Sequence, residues 1–265
     1  MRHALAVCTL VLAAVPVRGN DKWEFGIAGG DDDSNTVNAL APGRSQAHDL
    51  EGVSTTPDDD WFRVRVRARQ SYEVRASGST VVFAIPGGAI CQAGFCASLA
   101  RVDETGAILQ LPVASEGESR IPAVRWTASA NATEFVRVRG GGGSTWGPND
   151  EYTIELSNTT LFLPRFNNAA TQTTVLIVQN TTATTVTGAV DFWNAAGTLL
   201  HSEPLSVPAH GLTALATSSL SALAGQSGSA SIAHNGPYGA LVGKAAALEP
   251  STGFTFDTAF TTAQR

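Results

Sequence analysis

The sequence has few residues arranged as known catalytic or phosphate-binding motifs. It contains five histidines, and no two of them have the H-x-x-x-H spacing that holds zinc on a helix. Residues 225–229 lack the last glycine of a nucleophile elbow, and the glycine run 140–143 is not followed by the Gly-Lys-Ser/Thr of a phosphate-binding loop. We therefore predict no enzymatic activity. A triad assembled from distant residues stays open, because sequence spacing does not test it.

Charge is also scarce, and it is distributed unevenly. Residues 20–158 carry 31 charged side chains in 139 positions, whereas residues 159–265 carry seven in 107. One domain rarely shows such a step, so we predict two domains, 20–158 and 159–265, with the boundary at about 157–161. The whole chain has a net charge of −6, which argues against nucleic-acid binding because that binding rests on neutralising phosphates.

Beyond the N-terminus, no hydrophobic run approaches the roughly 20 residues of a membrane span. Residues 1–19 have a short basic start, an apolar stretch through Val15 and small residues near Gly19. This pattern predicts a cleaved signal peptide over 1–19 and a secreted or periplasmic mature protein. Cys8 leaves lipidation as an alternative.

Only two cysteines remain after that cleavage, Cys91 and Cys96. In an oxidising compartment such a close pair predicts a disulfide that closes a small loop. Two free buried thiols are the alternative.

The residues that are present indicate β-structure. After Asp58-Asp59-Asp60, apolar Phe62, Val64, Val66 and Ala68 alternate with arginines 63, 65, 67 and 69. A period of two is typical of a half-buried strand. Further strands are predicted at the following positions: 72–76, 81–85, 136–139, 152–156, 173–178, 186–193, 199–207, 212–216, 229–234, 240–248 and 254–260. We predict an all-β protein of two tandem antiparallel β-sandwich domains of jelly-roll-like type.

The first half resembles the bacterial pre-peptidase C-terminal domain, a β-sandwich module of exported enzymes. The resemblance covers roughly residues 28–158 and rests on these segments: Asp31-Asp32-Asp33-Ser34, Ala39 to Gly43, Gln46 to Leu50, Asp58 to Val64, Gln70 to Val74, Phe135 to Val138 and Glu151 to Leu156. It implies a secreted module, and some relatives bind calcium through clustered carboxylates. The second half looks like uncharacterised sandwich domains of exported bacterial proteins, which implies no activity.

Two acidic clusters are candidate metal ligands. Asp31 and Asp33, or Asp58 and Asp60, lie on one side of an extended segment, and calcium takes six to eight oxygen ligands. We therefore predict that these four residues form a calcium site. Solvated acidic turns are the alternative, since neither cluster fits an EF-hand loop.

Two further features bear on ligand binding. The arginine row is either a surface for anionic ligands or a solvated face paired with Glu73, Glu134 and Glu155, and we favour the pairing. Trp146, in a glycine-rich segment, is predicted to be exposed at a loop tip, where an indole would stack on a sugar.

Together these features predict a secreted, non-catalytic binding or cell-surface module whose partner is a glycan or a component of the cell envelope. An exported hydrolase, or an accessory chain of one, is the alternative. A structural coat or secreted cargo, assembled through the charge-poor second half, is a third interpretation.

Overall fold

The computed structural model describes residues 31–50, 58–78, 80–85, 96–115, 118–141, 146–147 and 149–263. Within these ranges the secondary structure consists of β-strands and two short 3-10 turns, without an α-helix. The prediction of an all-β fold is confirmed. No helix in the described ranges is long and apolar enough to cross a membrane. The predicted signal peptide and Cys91 lie outside the described residues, so the signal and the Cys91–Cys96 disulfide stay predictions.

The strands up to residue 158 form two five-stranded sheets. Their bounds are β1 Ala39–Leu40, β2 Arg44–Asp49, β3 Asp59–Val66, β4 Ser71–Gly78, β5 Ser98–Val102, β6 Ile108–Gln110, β7 Val113–Ser115, β8 Glu118–Thr127, β9 Ala132–Arg139 and β10 Glu151–Asn158. Sheet I has the order β1-β3-β9-β5-β6, and sheet II has the order β2-β10-β4-β8-β7. Except for the parallel pair β1–β3, neighbouring strands in both sheets are antiparallel.

Sheets I and II enclose one hydrophobic core. Phe62 and Val64 from β3 of sheet I belong to the same buried cluster as Val74 from β4 and Ile154 from β10 of sheet II. Along β3 the residues Phe62, Val64 and Val66 are buried, while Arg65 between the last two is exposed. The alternation read from the sequence therefore directs one face of the strand inward, because successive side chains point to opposite faces.

The strands after residue 160 form a second pair of sheets. Their bounds are β11 Leu161–Asn167, β12 Thr173–Asn180, β13 Val186–Trp193, β14 Leu199–Val207, β15 Leu212–Ala216, β16 Ser227–His234, β17 Leu241–Glu249, β18 Phe254–Ala259 and β19 Thr261–Thr262. Sheet III has the order β14-β13-β16-β11-β19, and sheet IV has the order β15-β12-β17-β18. Phe192 and Ile232 of sheet III share a core with Leu176 and Leu241 of sheet IV. The division of the chain into two separate domains, one for each sheet pair, stays a prediction.

Several predicted strands have other bounds in the structure, and β5 to β8 lie outside the predicted set. Two of the differences have a physical cause. The strand that begins at Asp59 ends at Val66, because the chain turns at Arg69, which has a φ of 63°. The run 81–85 forms only an isolated bridge between Phe83 and Ala97. Its side chains are apolar, but among the described residues its backbone hydrogen bonds join Val82 and Ala84 to Ala97 alone, so hydrophobicity did not place it in a sheet.

The two sheet pairs meet through polar residues, which we call the junction: Ser71, Glu73, Thr160 and His234, which are buried, and Tyr238, which is half-buried. Ser71 N donates to Thr160 Oγ1 at 2.9 Å, and His234 N donates to Ser71 Oγ at 3.2 Å. Glu73, which is 1% exposed, accepts from Tyr238 N at 2.6 Å. Polar groups buried in this way need such partners to offset their lost hydration.

Protonation of His234 is expected to weaken the fold in acid. Burial is the main cause that lowers the pKa of this histidine to about 4, and the charge of Arg125 lowers it further. In the unfolded chain the pKa is about 6.5, so below that pH the unfolded chain takes up a proton that the folded protein does not. The unfolding free energy should therefore fall by about 2–3 kcal/mol between pH 7 and pH 4.5 because of this residue.

Urea denaturation at both pH values, on the wild type and on His234→Gln, measures this contribution. The variant should lose about 2–3 kcal/mol less stability on acidification than the wild type. His210→Gln is the control, since His210 is exposed. An equal acid loss in the wild type and His234→Gln would contradict the assignment.

Candidate functional site

One buried cluster combines two carboxylates and an imidazole. Asp31, His48 and Asp60 each offer a ligand atom, and these atoms lie within 4.8 Å of one another. All three residues are at most 2% exposed. His48 is on β2 of sheet II and Asp60 is on β3 of sheet I, so the stacking of the two sheets brings them together. Asp31 lies beside β3 because its carbonyl accepts from Trp61 N at 2.7 Å.

Aromatic side chains surround this cluster, and one of them, a tyrosine, also forms a hydrogen bond to it. Tyr152 donates from its hydroxyl to Asp60 Oδ2 at 2.5 Å. Burial, followed by the negative charge of Asp60, raises the pKa of Tyr152 well above its usual value, so the hydroxyl keeps its proton. The His48 ring packs edge-on against Phe62 and stacks with Tyr152, at centroid distances of 4.8 and 5.7 Å. These contacts fix the ring beside the carboxylates.

The hydrogen bonds of His48 and Asn38 resemble those that orient the ligands of a metal site. His48 Nε2 lies 3.2 Å from Gln46 Oε1, which can accept only if Nε2 carries the proton. That tautomer leaves a lone pair on Nδ1, which is 3.8 Å from Asp31 Oδ2. Asn38 is 2% exposed, its Nδ2 faces Asp31 Oδ2 at 3.4 Å, and its Oδ1 has no hydrogen-bond partner among the described residues. A rotation of the amide by 180° would turn that oxygen toward the cluster, and such orientations are assigned from hydrogen bonding.

The structure brings together only part of the predicted calcium set. Asp31 and Asp60 are in the cluster, and Asp58, 8% exposed, is close enough for its charge to raise the pKa of Tyr152. Asp33 is not part of it: this residue is exposed, and its Oδ1 accepts from Asn35 N at 2.7 Å in a turn. Sequence reasoning missed His48, because a single histidine on a strand has no motif.

The prediction that Trp146 is exposed is wrong. Trp146 is only 7% exposed and belongs to the core between sheets I and II, where its Nε1 donates to Gly141 O at 3.1 Å. The glycine-rich sequence makes room for the indole rather than presenting it, because Gly140 has no Cβ where the ring lies. Trp146 is therefore a core residue and not a sugar-stacking one.

Gly140→Ala is expected to destabilise the protein by about 1–3 kcal/mol, the usual cost of overpacking. An added Cβ would lie 2.8 Å from Trp146 Nε1, so the indole would have to shift and weaken its hydrogen bond to Gly141. Gly147→Ala is the matched control, since a Cβ there meets no atom within 4 Å. Urea unfolding should place this control within about 0.5 kcal/mol of the wild type. Equal urea midpoints for Gly140→Ala and Gly147→Ala would contradict the placement of the Trp146 ring against Gly140.

The arginine row is divided among different roles. Arg63 donates to the Ser34 carbonyl at 3.3 Å, and Arg69 pairs with buried Asp191 at 2.9 Å across the two sheet pairs. The predicted pairing with Glu73 and Glu134 is made by arginines outside the row, Arg125 at 3.1 Å and Arg101 at 2.7 Å. Arg65 and Arg67 are exposed at the end of β3.

These last two arginines line an open groove of about 850 Å³, which we call the junction groove. It lies between the end of β3 in the first sheet pair and the start of β11 in the second. Its walls include Gln70, Tyr72 and Asn131 from the first pair and Phe162 from the second.

Comparisons with known proteins leave the family open. No family model matches the chain, and no curated protein matches it. A solved structure of Bacteroides uniformis beta-glucuronidase 2, covalently bound to cyclophellitol-6-carboxylate aziridine, is 12% identical over 77% of this chain and 26% of that chain, with a TM-score of 0.19. A glycosyl hydrolase family 2 member from Bacteroides cellulosilyticus is 9% identical over 77% of this chain and 28% of that chain, also with a TM-score of 0.19.

This chain thus covers little more than a quarter of either structure, and similarities this weak carry no functional argument. The resemblance to the pre-peptidase C-terminal domain stays a prediction.

Proposed function

We propose that this protein is a secreted, non-catalytic binding module for a glycan or another component of a cell surface. The observation that carries the proposal is the junction groove, an open site whose two walls come from different sheet pairs. Buried hydrogen bonds at the junction hold those walls together, among them Tyr238 N to Glu73 at 2.6 Å. A preorganised groove of this kind binds without a large loss of conformational entropy.

The ring contacts of three histidines are to carboxylates, an amide and a backbone N–H. His48 lies beside Asp31 and Gln46, His201 beside Glu203 at 3.0 Å, and His234 Nδ1 accepts from Gly236 N. Within the described residues, the hydrogen bonds of the His201 and His234 rings do not include a serine or threonine hydroxyl that either ring would activate. A serine or threonine nucleophile activated by a histidine base would require such a contact.

We further propose that the cluster of Asp31, His48 and Asp60 binds a divalent cation that strengthens the contact between sheets I and II. An imidazole beside two carboxylates suits zinc or manganese better than calcium, which prefers oxygen ligands alone. Gln46 would hold the His48 ring and Tyr152 would hold Asp60, as groups behind metal ligands commonly do.

Co-sedimentation with insoluble cell-envelope and plant cell-wall polysaccharide preparations tests the proposed function. We expect the mature protein to be retained by at least one preparation, while peptide, ester and glycan substrates incubated with it yield no product. Turnover of any substrate would favour the exported hydrolase instead. Failure of every preparation to retain the protein would contradict a binding module.

A further inference from the structure

The side chains of Arg65 and Arg67 are exposed and line the junction groove. Elsewhere in the first half, the side chains of Arg69, Arg101, Arg125 and Arg139 pair with carboxylates, and Arg137 lies over the Trp61 ring. Within the described residues, neither Arg65 nor Arg67 makes a side-chain hydrogen bond or an ion pair. They are two residues apart, so their Cα atoms are separated by roughly 6–7 Å along the edge of the groove.

Two side-chain amides of the groove, those of Gln70 and Asn131, accept hydrogen bonds through their oxygens. Gln70 Oε1 accepts from Tyr72 Oη at 3.1 Å and from Asn158 Nδ2 at 2.8 Å. Asn131 Oδ1 accepts from Ala68 N at 2.9 Å. These bonds fix both amides and leave Gln70 Nε2 and Asn131 Nδ2 without a partner among the described residues.

The lining therefore offers hydrogen-bond donors and positive charge. Of the described residues that line the groove, none is an aspartate or a glutamate. Two guanidinium groups and two amide NH₂ groups match the acceptors of carboxylates, and guanidinium binds a carboxylate through two parallel hydrogen bonds. On a protein of net charge −6, such a site attracts anions that the rest of the surface repels.

We propose that the junction groove binds an acidic polysaccharide through the carboxylates of its uronate residues. The inference rests on the proposed binding function and names its ligand class. A groove of about 850 Å³ that is open to solvent accommodates several sugar residues of a chain, and Gln70 and Asn131 would donate to hydroxyls between the carboxylates. The fixed amides and the apolar ring of Phe162 would position the chain, while Arg65 and Arg67 would provide most of the affinity.

Isothermal titration of the mature protein with hexamers of galacturonate, mannuronate and a glucuronate-containing glycan tests the proposal. Methyl-esterified hexagalacturonate has the same backbone without the charge, and a sulfated hexasaccharide has another anion. Arg65→Gln combined with Arg67→Gln removes two charges from the groove. Arg139→Gln combined with Lys244→Gln removes two charges elsewhere, one paired with half-buried Asp59 and one from the exposed pair with Asp257, and is the matched control.

We expect at least one uronate hexamer to bind, with affinity reduced about tenfold or more by the groove variant, by methyl esterification or by 0.5 M salt, and unchanged in the control variant. Equal affinities of the groove and control variants would overturn the proposal. So would tight binding of the methyl ester, a preference for the sulfated chain alone, or no binding of any uronate. Retention by cell-envelope material in spite of these results would leave the proposed function standing and reject only this ligand and site.

Discussion

Replacing Glu73 by alanine is expected to lower the unfolding free energy by about 3–5 kcal/mol. Glu73 is 1% exposed, and its carboxylate accepts from Arg125 Nη2 at 3.1 Å and from Tyr238 N at 2.6 Å. Alanine would remove the carboxylate that accepts from a mostly buried guanidinium and from a half-buried backbone N–H. Breaking a buried pair on one side costs more than the pair itself contributes, because the remaining charge stays desolvated.

The same substitution is expected to loosen the two sheet pairs from each other. Arg125 is on β8 of the first pair and Tyr238 follows β16 of the second, so Glu73 bonds to both. Calorimetry should show two separated transitions in Glu73→Ala where the wild type shows one, since each pair has its own core. Limited proteolysis of the variant should then cut near residue 158.

Two further variants make this prediction specific. Asp257→Ala breaks the exposed pair Lys244–Asp257, whose side chains are 50% and 51% exposed, and it should cost no more than about 1 kcal/mol. Glu73→Leu combined with Arg125→Met removes both charges and should recover part of the loss, as replacing a buried pair by apolar side chains often does. Equal costs for Glu73→Ala and Asp257→Ala would show that the junction does not depend on this carboxylate.

Zinc or manganese is expected to raise the melting temperature of the mature protein by about 5–10 °C. A ligand at 100 times its dissociation constant adds about 2.7 kcal/mol to the folded state. For a chain of this size each kcal/mol is worth roughly 2–4 °C. The expected source is the cluster of Asp31, His48 and Asp60, whose buried carboxylates a bound cation would neutralise.

Scanning fluorimetry with zinc, manganese, calcium and a chelator checks this effect. Asp60→Asn should abolish the shift while keeping an oxygen that accepts from Tyr152, and Asp33→Asn should leave it intact because Asp33 is an exposed turn residue. His48→Asn should favour calcium over zinc, because it exchanges a nitrogen ligand for an oxygen. A wild-type melting temperature that none of the cations changes would refute the metal proposal.

The sequence by itself determined that this protein consists of β-strands, although β5 to β8 lie outside the strands predicted from it. In β3 the alternation of Phe62, Val64 and Val66 with arginines specified both the strand and its buried face, because side chains of a strand alternate with a period of two. The strands predicted at 186–193, 199–207 and 212–216 have the bounds found in β13, β14 and β15. These patterns depend only on residues close together in the chain, so they can be recognised without knowledge of the tertiary structure.

Only the tertiary structure decided which polar residues meet. His48 joined Asp31 and Asp60 because sheets I and II stack, Glu73 became buried because the second sheet pair covers it, and Trp146 turned inward where Gly140 makes room. None of these contacts has a sequence period, because each joins segments far apart in the chain or depends on a neighbouring residue that lacks a side chain. Local alternation fixes which face of a strand is buried, whereas the packing of sheets fixes what that face meets.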